Sequence, residues 1–316
     1  MIINKLRWMY YSATSKLRWK WIRHITEEKY YQTNHKYAKR IVKGYEASSE
    51  FLSNKINAGK PFMAARYGLS EMFVMRAFEC QLEDKKERAS EQLRKWSGFF
   101  PATDENGKKF TDLMVNSSRE VDYLAVGFQA MEDYFIAKYM KKDVFLSEFR
   151  SFEPWYGESP WTQALKGKKV LVIHPFTKTI ESQYENREHL FPESDILPEF
   201  ELHTVTAVQT VAGQLDPRFS SWFEALDYMY EEAMKVDFDI ALIGCGAYGF
   251  PLAAKLKKAG KMSVHMGGML QVMFGIKGKR WDEDPIVSKY YNDYWVRPGE
   301  DEKPKSSNVV EDGCYW

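Results

Sequence analysis

The chain has 316 residues, room for one large α/β domain or two modest ones. Its 44% hydrophobic and 28% charged residues exclude wholesale disorder, no apolar run reaches the ~18–20 residues of a membrane-spanning helix, and a formal charge of +1 argues against a nucleic-acid partner. Three scattered cysteines, Cys80, Cys245 and Cys314, exclude a disulfide scaffold and a zinc module, while 16% aromatic content with ten Trp suits a core, a sugar site or a membrane boundary.

Residues 1–24 carry Lys5, Arg7, Lys16, Arg18, Lys20 and Arg23 and no acid, interleaved with Trp8, Tyr10, Tyr11, Trp19 and Trp21. They lack the unbroken apolar stretch and small-residue cleavage site of a secretory signal, so the expected location is cytoplasmic. Cations for anionic headgroups and indoles for the water boundary fit a segment lying on the inner face of the cell membrane; an ordinary first helix packed on the body fits equally.

Residues 35–60 read as a helix, with Tyr37, Ala38, Ile41, Val42, Tyr45, Leu52 and Ile56 returning at the spacing of one face before Gly59-Lys60-Pro61 stops it. PFMAAR (61–66) is a short strand that turns through Gly68 into a helix. Residues 88–120 are helical and polar, broken by a turn at FFPATDENGKK (99–109). Residues 121–128 and 143–149 are strands on either side of a helix at 131–140. From Lys168 the rhythm is regular: strands at 168–176, 201–208, 237–244 and 261–268, with helices at 221–235 and 250–260 between them. Alternating strands and helices predict a mainly parallel sheet covered on both faces, a single α/β body over residues 25–297, bilobed in outline. Residues 298–316 begin as a polar linker and end in Cys314-Tyr315-Trp316, which predicts a tail docked back on the fold.

Ligands of open α/β sheets bind beyond the carboxyl ends of the strands, so the chemistry is sought there. Gly244, Gly246 and Gly249 have GxGxxG spacing, after a strand and opening a helix, which suits a phosphate cradle built from Gly246, Ala247, Tyr248 and Gly249; a tight turn without a ligand explains the glycines too. A nicotinamide enzyme would place an acid at the end of the next strand. That end is His265-Met266-Gly267-Gly268, and the nearest acid downstream is Asp282. The double glycine suggests a second close approach of backbone to ligand, and Gln271 and KGKRW (277–281) add donors. In AARYGLSEMF, Arg66 and Glu71 flank Gly68 at a strand-to-helix turn: Arg can clamp phosphate, and Glu can act as a base or metal ligand. After the 168–176 strand come His174, Lys178, Glu181, Gln183, Tyr184, Glu185 and Arg187, a polyhydroxyl site or a charged helix face. Gln209 and Thr210 end the 201–208 strand. A Ser-His-Asp elbow, an HExxH pair, a Walker loop and a CxxC are all missing.

At its two glycine turns the sequence resembles the GT-D-fold glycosyltransferases of bacterial capsule and exopolysaccharide assembly. Arg66-Tyr67-Gly68-Leu69-Ser70-Glu71 is similar to that family's R-[FY]-G-D-G-E turn, and residues 242–268 to its C-terminal glycine turn, helix, strand and Gly/His loop. The resemblance spans roughly residues 50–297, with the specific matches confined to those turns. It implies a Rossmann-like sheet and transfer of a sugar from a nucleotide-diphosphate donor to a lipid-linked or growing glycan. Carried over by position, it implies that Arg66 and Glu71 lie in the donor site, lined by Gly244 to Gly249 and His265 to Gly268. The chemistry of glycosyl transfer separately suggests Glu71 as base with Glu181 in reserve, and Gly68, His174, Lys178 and Gln271 as further donor-side candidates. The family's Asp-x-Glu metal motif reads Leu69-Ser70-Glu71 here, so a divalent cation (Mn²⁺ or Mg²⁺) would find only Glu71 as ligand. Two other classes stand beside this one: an NAD(P)-dependent oxidoreductase or epimerase, and a membrane-associated scaffold with a decayed donor site. The surplus aromatics also leave room for a homo-oligomer contact.

Overall fold

A computed structural model describes residues 2–24, 35–211, 214–304 and 313–316, with side chains 3–18 in the first helix; Trp19, Lys20, Trp21 and Arg23 lie outside the described side chains. In chain order the strands are β1 (His35–Tyr37), β2 (Arg40–Lys43), β3 (Met63–Ala65), β4 (Tyr123–Val126), β5 (Phe145–Glu148), β6 (Lys169–His174), β7 (Glu201–Thr206), β8 (Ile240–Ile243) and β9 (Met262–His265). The helices are α1 (Ile2–His24), α2 (Tyr45–Ala58), α3 (Leu69–Glu79), α4 (Glu83–Ser97), α5 (Asp104–Ser118), α6 (Glu132–Tyr139), α7 (Thr177–Glu185), α8 (Arg187–Leu190), α9 (Trp222–Met234), α10 (Gly249–Lys258), α11 (Leu270–Met273) and α12 (Lys279–Asp282). Among the described residues no helix is long and apolar enough to cross a membrane.

The nine strands form one sheet in the order β1-β2-β5-β4-β3-β9-β8-β6-β7, parallel throughout except for β1 against β2. This is the mainly parallel α/β architecture that the alternation of elements predicts. Strands buried on both faces read as continuous apolar runs, and IALI of β8 and VLVI within β6 do so. Side chains from α3, α5, α9 and α10 fill the core on one face. Those from α2, α7, α11 and the turns around Phe152, Trp155 and Trp161 fill the other. Because β3 to β9 all run the same way, the carboxyl ends of β3, β9, β8, β6 and β7 come to a single edge.

Two expectations need correction. Residues 35–43 are a hairpin rather than helix: His35 pairs with Val42, and Val42 pairs onward with Leu146. Tyr37 and Val42 are buried while Ile41 is exposed, so the apolar residues that suit a helical spacing serve a strand instead. The turn uses Ala38 and Lys39, both at positive φ (49° and 62°), without the Gly or Asn that would signal it. At residues 99–109 the turn is shorter than expected: Thr103 caps α5 by accepting from the Asn106 N–H at 3.2 Å, so residues from Asp104 onward are helical.

Candidate functional site

The loops leaving β3, β6, β7, β8 and β9 enclose a cavity of about 230 Å³. Arg66, Gly68 and Glu71 reach it from the β3–α3 turn, and His174 from the end of β6. Gly244, Gly246, Ala247 and Tyr248 follow β8, and His265, Gly267, Gly268 and Gln271 follow β9. Gln209, Thr210 and Arg280 of the KGKRW stretch are also in its wall. Segments far apart in sequence thus converge because the parallel sheet gives them a common edge.

Of the three glycines of the GxGxxG stretch, two make room for side chains of this chain and one is open. A Cβ on Gly244 would lie 2.6 Å from Cδ2 of His174, and one on Gly249 would lie 2.1 Å from Nδ1 of His265. These two glycines therefore make room for the protein's own histidines, and Gly249 sits behind the wall rather than in it. Gly246 alone of the three has φ +57° and open space at its Cβ position, so its peptide faces the cavity. The double glycine behaves alike: Gly267, at φ +71°, lies against the Arg66 guanidinium, and a Cβ on Gly268 would fall 2.1 Å from the Tyr315 ring. The close approach expected there is between parts of this chain.

The charges are arranged for an anion. The guanidinium of Arg66 stacks on the Phe149 ring at 4.1 Å and makes no ion pair or hydrogen bond among the described residues. Burial lowers its pKa, yet an arginine remains charged at any ordinary pH. Among the described residues Glu71 is the single side-chain carboxylate in the wall. Burial raises its pKa, and the Ser70 hydroxyl, donating to it at 2.7 Å, opposes that rise. Its carboxylate folds back over Gly68, the N-cap of α3, in the manner of an N-terminal cap. Burial pushes both histidines down to about 3, so His174 and His265 are neutral. Nδ1 of His174 accepts the Phe176 N–H at 3.0 Å, which puts its proton on Nε2. Nδ1 of His265 and Oε1 of Gln271 are buried without partners, the kind of polar atom that water or a ligand ordinarily satisfies.

Lys178 and Glu181 are not in the cavity. They lie on α7, where Lys178 pairs with Asp301 at 2.5 Å and Glu181 accepts a hydrogen bond from Thr204. Gln183 donates to the carbonyls of Gly275 and Tyr294 and supports the fold. Conversely, Trp96 and Ser97 at the end of α4 line the cavity, and nothing in the charged EDKKERASEQLRKWS helix marks them beyond its one Trp. Tyr315 and Trp316 also line it, which makes the docked tail a wall of the site. Gln271 Nε2 donates to the Tyr315 carbonyl at 3.0 Å, Arg280 N to the Cys314 carbonyl at 3.0 Å, and Trp316 meets Phe176 edge-on at 6.2 Å.

Among the described residues no three His, Cys, Asp or Glu side chains gather as a metal-holding group, and Glu71 is already engaged by Ser70. The described residues therefore do not make a protein-held cation site.

No family model matches this chain, and no curated protein matches it. Among solved structures it is similar to one described as the highly conserved domain of unknown function 1792 with a distinct glycosyltransferase fold. The TM-score is 0.40 at 13% identity, over 82% of this chain and 96% of that one. A selenomethionine-substituted structure of the same domain of unknown function is similar at TM-score 0.39 and 12% identity, over 81% and 100% of the two chains. At that level of likeness nothing about donor, acceptor or chemistry carries over to this chain.

Proposed function

We propose that this protein is a glycosyltransferase whose cavity holds the diphosphate of a nucleotide-sugar donor, with a lipid-linked or growing glycan of a bacterial surface polysaccharide as acceptor. The observation that carries the proposal is the buried Arg66 guanidinium, which lines the same cavity as the Gly246 turn that leads into α10 and makes no hydrogen bond or ion pair among the described residues. An arginine held on an aromatic ring, with all its N–H donors unused, is suited to a diphosphate. Neutral His174 can donate from Nε2, adding a hydrogen bond without charge.

In the reaction, the acceptor oxygen forms a bond to the anomeric carbon while the bond from that carbon to the diphosphate oxygen breaks. The electron pair of the broken bond leaves with the nucleoside diphosphate. The acceptor hydroxyl proton passes to Glu71, whose raised pKa suits it to receive one. Arg66 and the amides of the Gly246 turn stabilise the charge that develops on the departing diphosphate. Tyr315 and Trp316 supply rings for the sugar or the base to pack against.

A ligand that binds only the folded state raises its melting temperature. Thermal stabilisation by UDP, GDP, dTDP, CMP and NADH, each with and without Mn²⁺, therefore tests the proposal. Stabilisation by one nucleoside diphosphate is expected. Stabilisation by NADH alone would transfer the site to the oxidoreductase class.

A further inference from the structure

Helix α1 presents two unlike faces, and among the described residues only one of them is covered. On the inner face, Trp8 and Tyr11 pack against the core, Tyr11 meeting Tyr134 at 5.5 Å. Arg76 stacks over Trp8 at 5.1 Å, Arg7 over Tyr134 at 5.2 Å and Arg18 over Tyr37 at 4.5 Å. The Ser15 hydroxyl donates to the Phe128 carbonyl at 3.1 Å, just past the carboxyl end of β4. This helix is therefore docked in a defined orientation, and its later turns reach the sheet edge that carries the cavity.

The opposite face carries Ile3, Leu6, Met9, Tyr10 and Leu17, each 57–73% exposed. They make up five of the eleven large hydrophobic side chains exposed among the described residues, so this patch is a concentration and not the ordinary scatter of a surface. Their spacing places them on one stripe of the helix, with the exposed Lys5 and Lys16 together along its flank. Residues 1–24 contain no acid.

From this geometry we propose that the outer face of α1 lies on an anionic lipid surface. The stripe would sink into the headgroup boundary while Lys5 and Lys16 meet lipid phosphates. Charge argues against a second copy of this chain as occupant: a two-fold contact through the stripe would bring the lysine flanks of two acid-free helices together. A lipid surface with net negative charge removes that conflict. This inference rests on exposed side chains of α1 that do not line the cavity, and it does not depend on the donor reading.

The test is co-sedimentation of the full chain with vesicles of phosphatidylcholine alone and of phosphatidylcholine with an equal part of phosphatidylglycerol. Binding to the anionic vesicles, reduced about tenfold or more on the neutral ones, is expected. The double variant Leu6→Glu/Leu17→Glu should lose vesicle binding, and Lys5→Glu/Lys16→Glu should lose the preference for anionic lipid. All four side chains are exposed, so both variants should keep the parent's melting temperature. The proposal is overturned if the parent stays in the supernatant with anionic vesicles or binds both vesicles equally. It is also overturned if Leu6→Glu/Leu17→Glu binds as the parent does, or if its one effect is to turn a dimer into a monomer.

Discussion

A Cβ on Gly249 would fall 2.1 Å from Nδ1 of His265, a contact between a backbone-fixed atom and a side chain that is itself buried. Gly249→Ala should therefore destabilise the fold by about 1–3 kcal/mol, the usual cost of overpacking. Gly249→Ala combined with His265→Ala should recover most of that loss, since the ring and the new methyl compete for one space. Melting temperatures of the two single variants and the double variant measure the coupling; additive losses would mean that the glycine serves something other than the imidazole. GxGxxG was legible in the sequence, as was its place between a strand and a helix. What the glycines accommodate was not legible, because His174 and His265 approach from other strands and no spacing in the chain records that approach.

At the level of single elements, the C-terminal residues carry a prediction of their own. Residues 313–316 line the cavity through Tyr315 and Trp316 and are held by Gln271 and the backbone of Arg280. Deleting them should leave a folded protein of somewhat lower melting temperature, because the sheet is complete without them while Tyr315 and Trp316 pack on the edge of one core face. It should also weaken nucleotide or acceptor binding, by about tenfold if one stacked ring is lost. Circular dichroism together with ligand titration separates the two effects, and unchanged affinity in the deletion would remove the tail from the site. The aromatic pair Tyr315-Trp316 stands out in the sequence; the wall against which it packs appears only once α11 and α12 bring Gln271 and Arg280 together. The β1–β2 hairpin failed to show for a related reason. Tyr37, Ile41, Val42 and Tyr45 satisfy a helical period as well as a strand, and pairing with β5, about a hundred residues away, decides between them.

Over the whole molecule, the parallel sheet was readable because buried strands such as β6 and β8 are continuous apolar runs separated by amphipathic helices. The site followed in part: the strand-end rule brought Arg66, His174, Gly246 and His265 to one edge, whereas Lys178 and Glu181 face away because α7 turns their side of the helix outward. Burial inside so large a core also sets a pH dependence. Glu153 is buried, and burial raises its pKa from 4.5 to about 7, partly offset by Arg66 and Arg150. A folded-state pKa above the unfolded value means that the native protein holds the proton more tightly. Its contribution to stability is complete below about pH 4.5 and is lost as the pH rises through about 7. Glu153→Gln, neutral at every pH, should match the parent's stability at about pH 4.5 and exceed it at about pH 8, by a margin on the order of 1–3 kcal/mol. Melting curves at both pH values check this, and a margin that shrinks as pH rises would reverse the assigned sign.

In the proposed reaction the Arg66 guanidinium receives the diphosphate of a nucleotide donor. Calorimetric titration of the parent and of Arg66→Ala with UDP, GDP and dTDP tests it most directly. The parent should bind at least one of the three, and Arg66→Ala should bind that nucleotide about 10- to 100-fold more weakly while keeping its fold, as expected for the loss of a charge-assisted contact. A parent that binds none of them, or an Arg66→Ala protein that binds as tightly as the parent, would contradict the assignment.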